Sequence, residues 1–468
     1  MFVANDCRTD ARVLREAASL AAAGHEVTIM AKPADAAARS GDRERVGAFT
    51  VERVPGPQGW RFWWTWLRYP WRMRDWWRRR LGRHLRMVPT GWPEAAVLLV
   101  AAFATIPWAI VRLPFFWWSQ RHSAAPGGSN LDWMVRWRYV ILGWAENAAA
   151  AAPVADAYHG HDLTGLEAAG RAWRRNGGRL VYDSHEIFLE SGSNAGRPRL
   201  LKHLLGRSER RWMRHAEALV TVNESLAAEL GRRLRPHRTI VVHNCPARWN
   251  PPVPRPDMIR SATGIPAGAR IALYHGGFSV HRGLEQLADA ILEPGLETTH
   301  AVFLGYGSKR AMLDRMVADP RLGGRLHVLA AVPPSELLPW VASADVAVMP
   351  IQPSTLNHRL STPNKLFEAL AAGVPVVVSD FEEMHQIVLN DPAGPLGAVC
   401  RPTDVADVAR AIRQVLELPG DEAAALRDRC LRAAHERWSW ESEVDGLIDL
   451  YRDLGDTEPR RPAGPVRA

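Results

Sequence analysis

Short apolar runs, each ending in a glycine or a polar cluster and joined by stretches of helical period, recur along most of this 468-residue chain. A chain with that rhythm can cover its strands on both faces only in a parallel sheet with helices packed on either side. Strands are expected at 2–4, 25–31, 49–55, 154–161, 179–186, 218–223 and 239–244, with helices at 10–23, 163–176, 198–215 and 224–233. The rhythm stops at 245–256, where five prolines in twelve residues mark a linker. It resumes with strands at 271–275, 300–304, 326–330, 345–350, 374–379 and 398–400, then helices at 405–418 and 422–436. The expected fold class is α/β, with two doubly wound, Rossmann-like domains over 1–245 and 257–436 facing a cleft. One further helix is expected over 437–455 and a disordered Pro- and Arg-rich tail over 456–468.

The opening strand, with room only for Phe2 to Ala4 before Asn5-Asp6, is shorter than usual, which leads us to expect a chain start upstream of Met1. No basic stretch leads into an apolar one there, so a cleaved export signal is not expected. The four cysteines form no CxxC pair, which argues against a disulfide scaffold or zinc ribbon and suits a reducing compartment. With 47% apolar and 23% charged residues, wholesale disorder is excluded. The formal charge of +9 is local: Arg61 to Arg86 holds nine arginines and one acid, Asp75. Tryptophan clusters beside it, with 14 of 20 between Trp60 and Trp144, so one segment differs chemically from a nearly neutral body.

The most informative motif runs from Ser361 to Pro375. Thr362 suits a helix N-cap, Pro363 the first helical position and Gly373 the stop. A helix N-terminus favours phosphate, Lys365 would add a full charge, and Lys365 and Glu368 share a face at i,i+3. The plainer alternative is a capped helix with an exposed ion pair. A second phosphate candidate is Tyr274-His275-Gly276-Gly277-Phe278-Ser279-Val280-His281-Arg282-Gly283, where paired glycines allow close backbone approach and Arg282 supplies a planar cation. An ordinary βα turn reads the same way, as does Gly305-Tyr306-Gly307. His159-Gly160-His161-Asp162 and Asp183-Ser184-His185-Glu186 close successive strands, where an α/β cleft collects its polar groups. No HExxH pattern points to a metalloprotease and no GxSxG elbow to a serine hydrolase.

Together these pieces resemble the retaining GT-B glycosyltransferases of family 4. The supporting order is Asp10-Ala11-Arg12-Val13, Gly24-His25-Glu26-Val27, His159 to Asp162, Asp183 to Glu186, Gly276 to Gly283, Gly305 to Gly307, Ala344-Asp345-Val346 and Ser361 to Pro375. The likeness covers about three quarters of the chain and omits 56–130 and the tail. It implies GT-B architecture and a nucleotide-diphosphate sugar donor, with Glu368 holding the ribose and Arg282 and Lys365 the diphosphate. Gly276, Gly277, Gly305 and Asn364 would line the donor site, and His161 would stand beside the transferred sugar. It also implies hexosyl transfer with retention, and neither a cofactor nor an essential metal. Two positions depart from the family pattern: Leu360 stands where a glutamate is usual, and Gly277 where an arginine is often found. Contact to the donor sugar would then come from Asn357, Ser361 or Asn364.

The Trp/Arg segment interleaves Trp63, Trp64, Trp66, Trp71, Trp76 and Trp77 with its arginines, among them Arg72, Arg78, Arg79 and Arg80. That is the pattern of an interfacial helix on an anionic membrane surface. The charge-free run 95–111 is at the lower limit for a span, so shallow insertion of a 56–130 insertion is expected, with a hairpin packed on the protein as the alternative. A lipid-linked glycan acceptor at the cytoplasmic membrane face, as in polysaccharide biosynthesis, follows as an expectation. Nucleic acid is the rival partner and not the expected one. A sugar-nucleotide epimerase and a non-catalytic, membrane-docked scaffold share the same motifs.

Overall fold

A computed structural model describes residues 1–34, 41–57 and 136–456, together with parts of helices between 96 and 134. The membrane-binding candidates Trp63, Trp64, Arg72, Trp76, Trp77, Arg78, Arg79 and Arg80 and the 457–468 tail lie outside the described residues.

The first domain is built on β1 (Thr28–Ala31), β2 (Asp42–Val46), β3 (Phe49–Arg53), β4 (Ala157–His161), β5 (Arg179–Ser184), β6 (Ala218–Thr221) and β7 (Thr239–Val241). The opening strand is reduced to Phe2, which bridges Met30 of β1 and Gly160 of β4. It thereby joins the β2-β3-β1 and β4-β5-β6-β7 sheets into one surface. All of these pairings are parallel except β2 with β3. Sequence patterning misses β2 because Asp-Arg-Glu-Arg-Val offers no apolar alternation: it is an exposed edge strand that charges protect from further pairing.

The second domain carries β8 (Arg270–Gly277), β9 (Thr299–Tyr306), β10 (Leu326–Ala330), β11 (Val346–Met349), β12 (Val376–Ser379) and β13 (Gly397–Cys400). They form one parallel sheet in the order β10-β9-β8-β11-β12-β13, which reverses direction between β8 and β11. In such sheets the crevice beyond the strands' carboxyl ends at the reversal is the ligand site.

The 246–256 linker has no regular structure and is pinned by Pro246, whose carbonyl accepts from the Trp440 N–H at 2.8 Å. The final helix expected over 437–455 is instead two, Trp440–Glu443 and Asp445–Asp456, the first capped by the Ser439 side chain. Trp440, Val444, Leu447, Leu450 and Leu454 pack with Val3, Val13, Leu20, Ile29 and Val220, so the chain's end completes the first domain's core. Cys7, Cys245, Cys400 and Cys430 are all free and buried.

Candidate active site in the interdomain cleft

Parallel pairing sets the second-domain half. β8 and β9 run further than the apolar pattern indicates, so Gly276, Gly277 and Gly305 lie within strands and not in loops; Gly276 pairs with Gly305 and Gly277 with Tyr306. Gly276 has φ +105°, and a Cβ on Gly305 would stand 2.0 Å from the Gly276 carbonyl oxygen, so the strand ends close up only with glycine at both places. The helix Asn364–Ala371 points its N-terminus at this edge. It starts one residue later than expected: Pro363 is the cap residue, with extended backbone and no capping side chain. The Thr362 hydroxyl is engaged elsewhere, accepting from Asn223 Nδ2 of the first domain at 2.8 Å.

Lys365 and Glu368 are not an exposed ion pair. The Lys365 ammonium sits 3.6 Å above the centre of the Tyr274 ring, the cation–π arrangement of a desolvated amine. Burial, then Arg282, pushes its pKa well below the ordinary lysine value. Glu368 accepts from His275 Nε2 at 2.9 Å, the imidazole buried and the carboxylate a quarter exposed. Burial alone would raise the Glu368 carboxyl, but His275 and then Lys365 bring it below its usual value. Arg282 follows His281, a non-glycine residue at φ +66°, and its Nε lies 3.4 Å from Ser279 Oγ. Asn364 is exposed at the helix start.

On the first-domain side, the β4–β5 register sets His161 opposite Asp183, which draws the two strand-end motifs into one cluster. Asp183 accepts from Arg12 Nε and Nη2 at 3.1 and 3.2 Å, and His161 Nδ1 and His185 Nε2 stand 3.2 and 3.1 Å from its Oδ2. Burial would raise the Asp183 carboxyl, yet Arg12 and then His185 hold it well below the usual range. Burial would lower His185, but Asp183 and then Asp162 raise it to about 9. Glu16 goes the opposite way, raised by burial and by Asp183. His161 is wholly buried and stacks on His159 with ring centres 4.6 Å apart, while His185 keeps about a fifth of its side chain exposed. The group with open surface is therefore the neighbour of the expected one. Asp162, the last residue of the first motif, adopts φ +53°, and its Oδ1 accepts the His185 N–H at 3.1 Å.

Glu16, His159, His161 and Asp183 could each offer one ligand atom, all within 4.8 Å of one another. Both Asp183 oxygens, however, are already taken by Arg12 and the histidines, and the Arg12 cation also lies 2.9 Å from Glu16. The Glu16 oxygens and the Nε2 atoms of His159 and His161 make no hydrogen bond, so a divalent ion there would find open ligand atoms but would compete with Arg12 for Asp183.

The domains are also hydrogen-bonded across the cleft. Asn357, offered by the sequence as a donor-sugar contact, is engaged otherwise: its Oδ1 accepts the Ile187 N–H at 3.0 Å and its Nδ2 donates to Glu186 at 3.2 Å. Leu360, at the position of the usual glutamate, packs with Leu356 against the first-domain core. Asn223 Nδ2 also donates to the Leu360 carbonyl at 2.8 Å. The sequence reading includes Tyr274 and His275 in the second phosphate candidate without giving either a role, and it misses Asn223. The available signal was a Tyr-His pair at the end of an otherwise apolar strand and an asparagine just past the carboxyl end of β6.

Comparison with known proteins bears on this arrangement. Residues 120–245 match the family described as Glycosyltransferase Family 4, and residues 269–418 the one described as Glycosyl transferases group 1. Glycogen synthase of Mycobacterium tuberculosis is 28% identical over 268 residues, 54% of this chain and 59% of that protein. D-inositol 3-phosphate glycosyltransferase of Xylanimonas cellulosilytica is 30% identical over 222 residues, 46% of this chain and 50% of that one. The match thus spans between half and three fifths of these relatives' length. Among solved structures, sucrose-phosphate synthase from Thermosynechococcus elongatus superposes with a TM-score of 0.62 at 17% identity, covering 95% of this chain and 93% of that one. The E. coli trehalose-6-phosphate protein bound with UDP-2-fluoro glucose gives 0.64 at 12% identity, covering 98% and 99%. With the two parallel-sheet domains and the matched family regions, the chain belongs to the GT-B glycosyltransferases, with a family 4 first domain and a group 1 second domain.

Proposed function

We propose that this chain is a retaining, metal-independent hexosyltransferase that moves a sugar from a nucleoside-diphosphate donor to a lipid-linked glycan acceptor at the cytoplasmic face of the membrane. The observation that carries the donor half is the group formed by Lys365 over Tyr274 and Glu368 on His275, at a helix N-terminus facing Gly276. In this reading Glu368 accepts the ribose hydroxyls, while Lys365, Arg282 and the first N–H groups of the helix meet the diphosphate. Gly276, Gly277 and Gly305 keep the strand edge free of side chains, and Asn364 lines the entrance. Cations aimed at the leaving diphosphate supply the kind of preorganised electrostatics that usually dominates catalysis. His185 presents the first domain's charged group, and His161 positions it through Asp183.

The acceptor half rests on the Trp/Arg segment and on the described residues beyond it: Val100, Phe103, Ile106, Ile110 and Val111 are all exposed, an apolar set suited to shallow insertion. Among the described residues no helix is long and apolar enough to cross a membrane.

Thermal unfolding with UDP- and GDP-sugars, in EDTA, tests the donor half. One donor is expected to raise the melting temperature in wild type, and Glu368→Ala is expected to weaken its binding by about 10- to 100-fold, the usual worth of a hydrogen bond to a charged group. Wild type indifferent to every nucleotide, or Glu368→Ala binding like wild type, contradicts the proposal.

A further inference from the structure

The helix Arg199–Met213 presents an outward face that the cleft does not use. Leu200 and Leu204, one turn apart, are 72% and 52% exposed. Arg199, His203, Arg207, Arg211 and, just past the helix, Arg214 are exposed with them. The helix has one acid, Glu209, which is turned inward and accepts from the Tyr182 hydroxyl at 2.7 Å. The outward face therefore holds two leucines at one end, arginines along the rest and no counter-charge of its own. A stripe of that kind is complementary to a surface that is anionic outside and apolar beneath.

The neighbouring structure continues the same chemistry. Trp133 stacks on Trp137 with ring centres 5.6 Å apart, donates to Asn194 Oδ1 at 2.9 Å and lies under the Arg197 guanidinium, just before this helix begins. Trp137 in turn meets Phe188 at 5.7 Å, while Met134 and Tyr139 are 49% and 45% exposed. The two tryptophans thus fasten a second partly apolar helix to the 188–197 segment that leads into the first.

We propose that the outward face of Arg199–Met213 is a docking surface for an anionic lipid bilayer. It deepens the membrane reading above and is separate from the Trp/Arg segment. Leu200 and Leu204 enter the headgroup boundary, and the arginines lie along the phosphates. The first domain then rests on the bilayer through one of its own core helices, so its orientation does not depend on the insertion alone.

Co-sedimentation of the full chain with phosphatidylglycerol/phosphatidylcholine vesicles tests this. One variant carries Arg199→Gln, Arg207→Gln, Arg211→Gln and Arg214→Gln; another carries Leu200→Ser and Leu204→Ser. Each arginine near an anionic surface is worth about fivefold in partitioning, so the first variant is expected to lose more than about a hundredfold at moderate salt. The leucine variant is expected to lose binding that high salt does not abolish. Both are surface changes, checked by unaltered circular dichroism and donor-induced stabilisation. Vesicle binding unchanged in both variants overturns the inference, as does a wild type that ignores vesicles and binds single-stranded oligonucleotide instead. Wild type that binds vesicles through this face but no nucleotide sugar upholds it and contradicts the transferase reading.

Discussion

Lys365 is the residue whose chemical state should change most on donor binding. In the free protein burial and then Arg282 lower its pKa, with the amine held over the Tyr274 ring. A diphosphate supplies the missing negative charge and raises that pKa, so binding should take up protons, with an affinity that weakens as pH rises. Calorimetry in buffers of different ionisation enthalpy should show that uptake. Lys365→Arg should abolish the uptake, because guanidinium stays charged. Equal heats in all buffers would remove Lys365 from the diphosphate. The spacing of Lys365 and Glu368 on one helix face was readable in the sequence, since i,i+3 geometry is local. Their partners were not: His275 and Tyr274 meet them through the tertiary placement of β8, and no spacing rule connects residues 90 apart. The same holds for His161, whose place at a strand end was legible while its complete burial behind His185 was not.

At the level of elements, period and turn chemistry located most strands and helices of both domains; apart from the charged edge strand β2, the misplaced boundaries share one cause. Strand ends at β8 and β9, the start of Asn364–Ala371 and the break at Val444 are all set by contacts with other elements. The segment after β7 shows what such contacts can add. His243 lies with Nδ1 3.0 Å from Glu443 and Nε2 3.9 Å from Glu383, so it ties the first domain to the second and to the C-terminal helices. Burial would lower its pKa, but the carboxylates of Glu383 and Glu443 raise it to about 9; the other close neighbours are the uncharged rings of Phe367 and Trp438. With the folded value above the unfolded one, its contribution is complete below about pH 6.5 and is lost as pH climbs through about 9. His243→Gln should therefore flatten the alkaline fall in stability by up to about 3 kcal/mol, leaving the share owed to His185. Chemical denaturation at pH 6 and pH 9 checks this: an equal slope in variant and wild type would mean the clasp carries no charge.

Across the whole molecule, the chain crosses between domains twice, once through 246–256 and once when the last helix returns to the first domain. The first crossing was legible from its prolines, because they break both periodicities. The second was not, because an amphipathic helix does not announce which core receives it. Leu447, Leu450 and Leu454 bury their face against Val13, Leu20 and Val220, and the Tyr451 hydroxyl reaches His159 Nδ1 at 2.9 Å behind the His161 cluster. The first domain thus depends on residues that follow the second in sequence. Leu447→Ala and Leu450→Ala should each cost about 2–5 kcal/mol, a large share of a typical domain's 5–15 kcal/mol. The loss should fall on one domain only. Calorimetric scans of either variant should separate into two transitions, the lower one from the first domain, while a bound donor still raises the upper one. A single transition shifted as a whole would instead show that the interdomain bonds of Asn223 and Asn357 make both domains one cooperative unit. In that case weakening the last helix should lower the melting point of the donor complex as much as that of the free chain, because the second domain could not outlast the first.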